Sequence, residues 1–146
     1  MPALVDGRLD LRAKTLIHEL VRWIDGLNSR ASVPGVEVVV EGPNDMRALK
    51  GLGVKADFIL ADHLLRETRN EGYERVNGRT FIIMTDFDRE GTSLYRRLRR
   101  IVTELGGKVD DYPRRQYASL GLPPLIEEVE SFVRRRFEDW DLLRRN

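Results

Sequence analysis

Three carboxylates spaced two apart, Asp86, Asp88 and Glu90, close the run Phe81-Ile82-Ile83-Met84-Thr85-Asp86-Phe87-Asp88-Arg89-Glu90-Gly91-Thr92. In extended backbone, residues i and i+2 project to the same side, so Asp86 and Asp88 are expected to converge on one point. Two hard anionic ligands held at a strand end suit Mg²⁺, with Mn²⁺ as its substitute. Such an ion takes one or two carboxylates and completes its shell with water and phosphate oxygens. Like charges packed this closely are costly unless a cation neutralises them. The alternative reading of the same residues is a solvated acidic turn capping the following helix, because acids favour helix N-termini. A further acid, Glu41, ends the run Val36-Glu37-Val38-Val39-Val40, and Gly42-Pro43-Asn44-Asp45 follows it. Open α/β sheets place their ligand sites at the carboxyl ends of strands, which is where Glu41 and Asp86 both fall. Asp45 reads first as a helix first-turn charge and second as an acid standing behind Glu41.

The elements that must position these acids follow from periodicity. Four apolar residues, Phe81 to Met84, predict a short strand buried on both faces, as does the β-branched run ending at Val40. Residues 1–9 carry little pattern and predict a loose arm. Asp10 is placed to cap a helix over residues 10–28, whose apolar residues from Ala13 to Leu27 recur every three or four positions. After a loop to Gly35 and the first strand, a helix is expected from Asp45 to about Lys50, with Pro43-Asn44 as its turn and N-cap. A buried strand is expected from Ala56 to Leu60, and a helix from His63 to Arg69 capped by Asp62. Beyond the acidic run, with Thr92 or Ser93 helping to start it, a helix presents Leu94, Leu98, Ile101, Val102 and Leu105 on one face. Gly106-Gly107 ends that helix, and Lys108 to Asp111 forms a short fourth strand. Pro113 to Leu120 reads as a loop, and residues 123–141 as one C-terminal helix. His18 and His63 read as surface side chains rather than ligands.

Composition narrows the possibilities. The 146 residues predict one domain with a real core. A net charge of +1, with 34% charged residues, excludes a uniform polycation, so affinity for nucleic acid has to come from clustered arginines. Candidate phosphate contacts are Arg89, Arg96, Arg97, Arg100, Arg114 and Arg115, with Arg134 to Arg136 as a further cluster; each also reads as an ordinary solvated face. The chain contains no cysteine, which excludes disulfides, thiolate zinc sites and a cysteine nucleophile within it. No apolar run is long enough for a membrane span and the N-terminus is too charged for a secretory signal, so a cytoplasmic location is expected. No G-x-G-x-x-G follows a strand, so a nicotinamide dehydrogenase is unsupported. Asp86-Phe87-Asp88 superficially mimics an aspartyl-phosphate phosphatase loop, but Glu90 stands where that loop needs Thr, and the loop follows the third strand rather than the first.

A strand-end Glu followed later by a strand-end Asp-x-Asp-x-Glu-Gly resembles the pattern of the Toprim superfamily. Thr85 to Gly91 is similar to the type IA topoisomerase version, with Phe87 where Pro is usual. Val40 to Asp45 looks like the opening motif of ribosomal-RNA maturation nucleases and of small stand-alone, archaeal-type Toprim proteins. The resemblance covers about residues 36–111. It implies a Rossmann-like α/β fold: a mostly parallel four-stranded sheet with helices on both faces, plus the N- and C-terminal helices. It also implies that the strands bearing Glu41 and Asp86 are neighbours. Asp86 and Asp88, with Glu90, would then hold Mg²⁺, and Glu41 would act as general acid or base or complete the metal shell. The chain lacks room for the gate domains of a topoisomerase, and without cysteine it lacks a primase's zinc domain. The tyrosines Tyr73, Tyr95, Tyr112 and Tyr117 read as packing or surface residues. The expected function is Mg²⁺-dependent phosphodiester chemistry by a small nuclease acting on structured RNA or DNA. The alternative is a non-catalytic module that binds nucleic acid or protein in RNA processing or DNA repair.

Overall fold

The computed structural model describes residues 4–5, 8–9 and 11–145. Leu4–Val5 (β1) pairs antiparallel with Arg8–Leu9 (β2), so a small hairpin stands where a loose arm was expected. The Asp10 cap lies outside the described residues. Helix α1 runs from Leu11 to Ala31, past the boundary expected at Asn28. Its last turn is kept helical by tertiary bonds. The Asn28 amide donates to the Gly53 carbonyl and accepts from the Lys55 N–H, tying α1 to the loop beyond the next helix.

The sheet consists of β3 (Val36–Val40), β4 (Phe58–Leu60), β5 (Thr80–Ile83) and β6 (Lys108–Val109). All four strands are parallel, in the spatial order β4-β3-β5-β6. The two β-branched, fully buried strands therefore occupy the centre, and the shorter ones the edges. Phe58, Ile59 and Leu60 are only half-buried, because β4 is an edge strand rather than the fully buried one expected.

Side chains alternate between two cores. Val36, Val38, Val40, Ile82 and Met84 face Trp23, Ile24 and Leu27 of α1, Leu49 and Leu52 of α2 (Pro43–Leu52), and Tyr117 of α6 (Tyr112–Ser119). Val129 and Val133 of α7 (Val129–Arg136) and Trp140 of α8 (Trp140–Arg145) complete this side. Val39, Phe81 and Ile83 face the other way, against Leu64 of α3 (Ala61–Glu71), Val76 of α4 (Tyr73–Val76), and Leu98 and Val102 of α5 (Arg89–Glu104). Each such side chain contributes about 1.5–3 kcal/mol by leaving water. Helices thus cover both faces, as expected of a Rossmann-like α/β fold.

Several boundaries differ from expectation, each for a local reason. Helix α2 starts at Pro43, with Gly42 rather than Asn44 as N-cap, since proline is preset for the first helical position. It ends on Gly53, whose φ of 113° is disfavoured for residues with a Cβ. Helix α3 begins at Ala61, so Asp62 is a first-turn charge and not the cap. Residues 113–120 are not a loop: Tyr112 opens α6 with Pro113 in its first turn, and the helix buries Pro113, Arg114 and Tyr117. The single C-terminal helix is broken into a 3-10 turn at Ile126–Glu128, then α7, then α8, with Phe137 extended between the last two. None of the described helices is long and apolar enough to cross a membrane.

Candidate functional site

Strands β3 and β5 are paired in register, with Val39 opposite Ile83. Glu41 and Asp86 therefore leave the sheet side by side at its carboxyl edge, as the two motifs had indicated. The Glu41 Oε2 accepts the Asp86 main-chain N–H at 2.7 Å, across 45 residues of sequence. Burial pushes the Glu41 pKa up, and the charges of Asp86 and Asp45 push it further, against the lowering effect of the Asp86 N–H. Asp45 lies behind the pair, nearly fully buried, its carboxylate accepting the Gly42 N–H at 3.1 Å. It is the third residue of α2 reaching back to the N-cap, so its first-turn role holds, and burial followed by the Asp86 charge raises its pKa as well.

Asp88 does not join this pair. Strand β5 ends at Ile83, and a bend at Phe87 and Asp88 breaks the alternation that would have aimed Asp88 beside Asp86. Asp88 is instead the N-cap of α5, its Oδ1 accepting the Gly91 N–H at 2.8 Å. Here the capping reading of the sequence is the structural outcome, and Thr92 and Ser93 lie inside the helix rather than at its start. Arg89 and Glu90 are exposed on the first turn of α5. Gly91 is required by close approach: a Cβ there would collide with the Asp86 main-chain oxygen. Among the described residues, no group of three Asp, Glu, His or Cys side chains is gathered closely enough to hold a metal ion. The expected shared chelate of Glu41, Asp86, Asp88 and Glu90 is therefore not assembled.

The acidic loop is held from the C-terminal third of the chain. Asp86 Oδ1 accepts the Ile126 N–H at 2.8 Å, and the Phe87 N–H donates to the Pro124 carbonyl at 2.7 Å. Arg114, expected as an exposed phosphate contact, is 7% exposed and is a clamp on the loop. One of its amino groups donates to the Ile83 and Thr85 carbonyls at 3.1 and 2.9 Å, and the other to the Asp86 carbonyl at 3.2 Å. Its guanidinium lies 4.2 Å from the Phe87 ring centre and 4.4 Å from that of Tyr95. Phe87 in turn stacks on Tyr117 at 4.7 Å. The signal for this clamp was present in Asp111-Tyr112-Pro113, where the proline marks a helix start. Tyr95 and Tyr117 are packing residues, Tyr95 donating to Asp111 and Tyr117 to the Pro123 carbonyl. Tyr73 and Tyr112 are exposed, as are both histidines.

Of the other candidate arginines, Arg96, Arg97, Arg100 and Arg115 are exposed. Arg134 is tied to Glu130, Asp141 and the Gly51 carbonyl, which leaves it a structural role.

No family model matches the chain. It is 31% identical over 138 residues to a UPF0292 protein of Methanocaldococcus jannaschii, covering 86% of this chain and 98% of that protein. UPF0292 proteins of Thermococcus onnurineus and Methanosarcina barkeri are 38% and 33% identical over 82 and 78 residues. The chain spans 58% and 51% of the length of those two. A solved structure from Aquifex aeolicus matches with a TM-score of 0.57 at 19% identity, over 74% of this chain and 95% of that one, a likeness of fold. None of these relatives points to the Toprim superfamily, and the resemblance drawn from the two short motifs is corrected accordingly.

Proposed function

We propose, for a chain that belongs to the UPF0292 family, divalent-cation-assisted chemistry at a phosphodiester of nucleic acid. One observation carries this reading. Glu41 and Asp86 follow different central strands to the sheet's carboxyl edge, where the Glu41 carboxylate accepts the Asp86 N–H at 2.7 Å and burial and neighbouring anions raise the Glu41 pKa. A half-buried excess of negative charge is relieved by a cation, and hard carboxylate oxygens fit Mg²⁺ or Mn²⁺. The donor chemistry fits such an ion with two acids rather than three. When bound, the ion neutralises charge on the scissile phosphate.

The chain's own residues do the rest. Glu41 and Asp86 hold the ion through the oxygens left over after the bonds from the Asp86 and Ile126 N–H groups. Glu41 either completes the ion's shell or exchanges a proton with the attacking or leaving oxygen. Arg114 fixes the carbonyls of Thr85 and Asp86, so the edge is rigid before substrate arrives. Arg89, exposed on the first turn of α5 a few residues beyond Asp86, is the candidate to meet a phosphate.

A second reading has an observation of its own. One oxygen of each central acid already accepts a main-chain N–H, and no three-acid group forms among the described residues. This favours a binding module without turnover. The test is a panel of RNA and DNA substrates with Mg²⁺ or Mn²⁺, comparing the wild type with Glu41→Gln and Asp86→Asn. Cleavage by the wild type that both variants lose supports the enzyme. Nucleic-acid binding with no cleavage under either cation refutes it in favour of the module.

A further inference from the structure

Helix α5 turns a row of unpaired arginines toward solvent. At 3.6 residues per turn, Arg89, Arg96 and Arg100 fall within about 40° of one another, opposite Leu98 and Val102, which pack on the sheet. At 1.5 Å of rise per residue the row runs about 16 Å along the helix. All three are exposed, and among the described residues none of their guanidinium groups forms an ion pair. Arg99, to one side of the row, is different: Asp111 neutralises it at 3.0 Å. Ser93 is the exposed residue between Arg89 and Arg96, and no acid interrupts the row, since Glu90 and Glu104 fall toward its flank. Arg96 and Arg100 are four apart, a like-charge pair that repels unless an anion lies against it. The exposed face of α1, on the other side of the sheet, instead mixes Lys14, Arg22, Glu19 and Asp25. The row begins in the first turn of α5, whose cap Asp88 lies two residues beyond Asp86, so it leads away from the acidic edge.

We infer that the outer row of α5 is the docking surface for the phosphate backbone of a nucleic acid, which passes along the helix toward the carboxyl edge. The inference deepens the function proposed above and rests on it for the choice of nucleic acid over another polyanion. A net charge of +1 gives the molecule as a whole no general attraction for polyanions, so the attraction is local to this face. Phosphate contacts fix register and carry no base information, so binding here is indifferent to sequence and sensitive to salt.

The test is fluorescence anisotropy on the full chain in EDTA, with labelled single strands and duplexes of RNA and DNA in two unrelated sequences, and polyglutamate as competitor. The α5 pair Arg96→Ala with Arg100→Ala is compared with a control pair on α1, Arg12→Ala with Arg22→Ala, which removes the same charge from exposed positions across the sheet. The α5 pair should reduce the slope of log K against log salt by about 1.8 on a duplex or about 1.4 on a single strand, from about 0.9 and 0.7 per phosphate contact. The loss should be the same for both sequences, the control pair should leave the slope unchanged, and Arg96→Lys with Arg100→Lys should restore it. An unchanged slope in the α5 pair, an equal loss in the control pair, a slope lost in the lysine pair too, or no binding by the wild type overturns the inference. Polyglutamate displacing the strands at equal charge also overturns it, in favour of an acidic protein partner. Metal-dependent cleavage with binding indifferent to the α5 pair sinks this inference alone. Binding sensitive to that pair, without cleavage under Mg²⁺ or Mn²⁺, sinks the enzymatic reading alone.

Discussion

Arg114→Met removes the guanidinium while keeping most of the aliphatic volume, and its cost follows from the contacts it loses. The carbonyls of Ile83, Thr85 and Asp86 lose donors at 2.9 to 3.2 Å, in a region where the guanidinium itself excludes water. Each buried acceptor left alone costs about 1–3 kcal/mol. The stacking of the cation between Phe87 and Tyr95 adds about 1 kcal/mol. Against this, removing a charge that burial has already destabilised gives some free energy back: burial pulls the Arg114 pKa below its ordinary range. The balance is a loss of about 3 kcal/mol, which for a domain of this size lowers Tm by about 10 °C. Urea titration followed by tryptophan fluorescence measures it, since Trp23 packs edge-on against Tyr117 in the same cluster. Arg114→Lys should recover only part of the loss, because one ammonium cannot serve three carbonyls or stack as a plane. A loss below 1 kcal/mol in Arg114→Met, or full recovery by lysine, would refute the clamp.

Three other expectations follow. Glu41→Gln keeps the bond from the Asp86 N–H while removing charge, so in EDTA at pH 7 it should stabilise the fold by about 0.5 kcal/mol after solvent screening. The sign follows from linkage: an acid with a raised folded pKa contributes stability that is complete below the ordinary glutamate range and is lost as pH rises through the raised value. The variant should therefore flatten the wild type's fall in stability between acid and neutral pH, and Mg²⁺ should raise Tm in the wild type but not in the variant; a destabilised variant at pH 7 contradicts the argument. Gly91→Ala drives a methyl into the Asp86 main chain, so a loss of about 2–3 kcal/mol is expected in thermal melts, with an unchanged Tm as the contrary result. At the opposite end of the sheet, Arg75→Met leaves Glu37 without its two-pronged partner at 2.7 and 2.9 Å, and a loss of about 2–3 kcal/mol by urea titration is expected, with less than 0.5 kcal/mol refuting it.

What could be read from the sequence was whatever a single period or a strand terminus encodes. The apolar stripe from Ala13 to Leu27 specified α1, and the β-branched run to Val40 specified a central strand. Two acids at two strand ends specified which edge of the sheet to examine. What escaped was set by contacts distant in sequence. Helix α6 has few apolar residues, and its register is fixed by Tyr117 and Arg114 reaching β5, which no local pattern reveals. The Trp23 N–H bond to the Pro113 carbonyl joins residues 90 apart. Asp88 was misplaced because alternation was extended past the last hydrogen-bonded residue of β5, into a bend. The family resemblance failed for a related reason: two short acidic strings are compatible with more than one lineage.

Three ties reach the acidic loop from beyond the alternating strands and helices: the Pro124 carbonyl, the Ile126 N–H and the Arg114 fork. A fragment trimmed to residues 36–111, the portion the motifs delimit, would keep every strand of the parallel sheet yet surrender all three. Proteolysis within residues 120–124, a stretch outside any helix, would loosen the ties from Pro124 and Ile126 while the sheet survived. The carboxyl-terminal segment thus fixes the geometry of the acids from far along the chain.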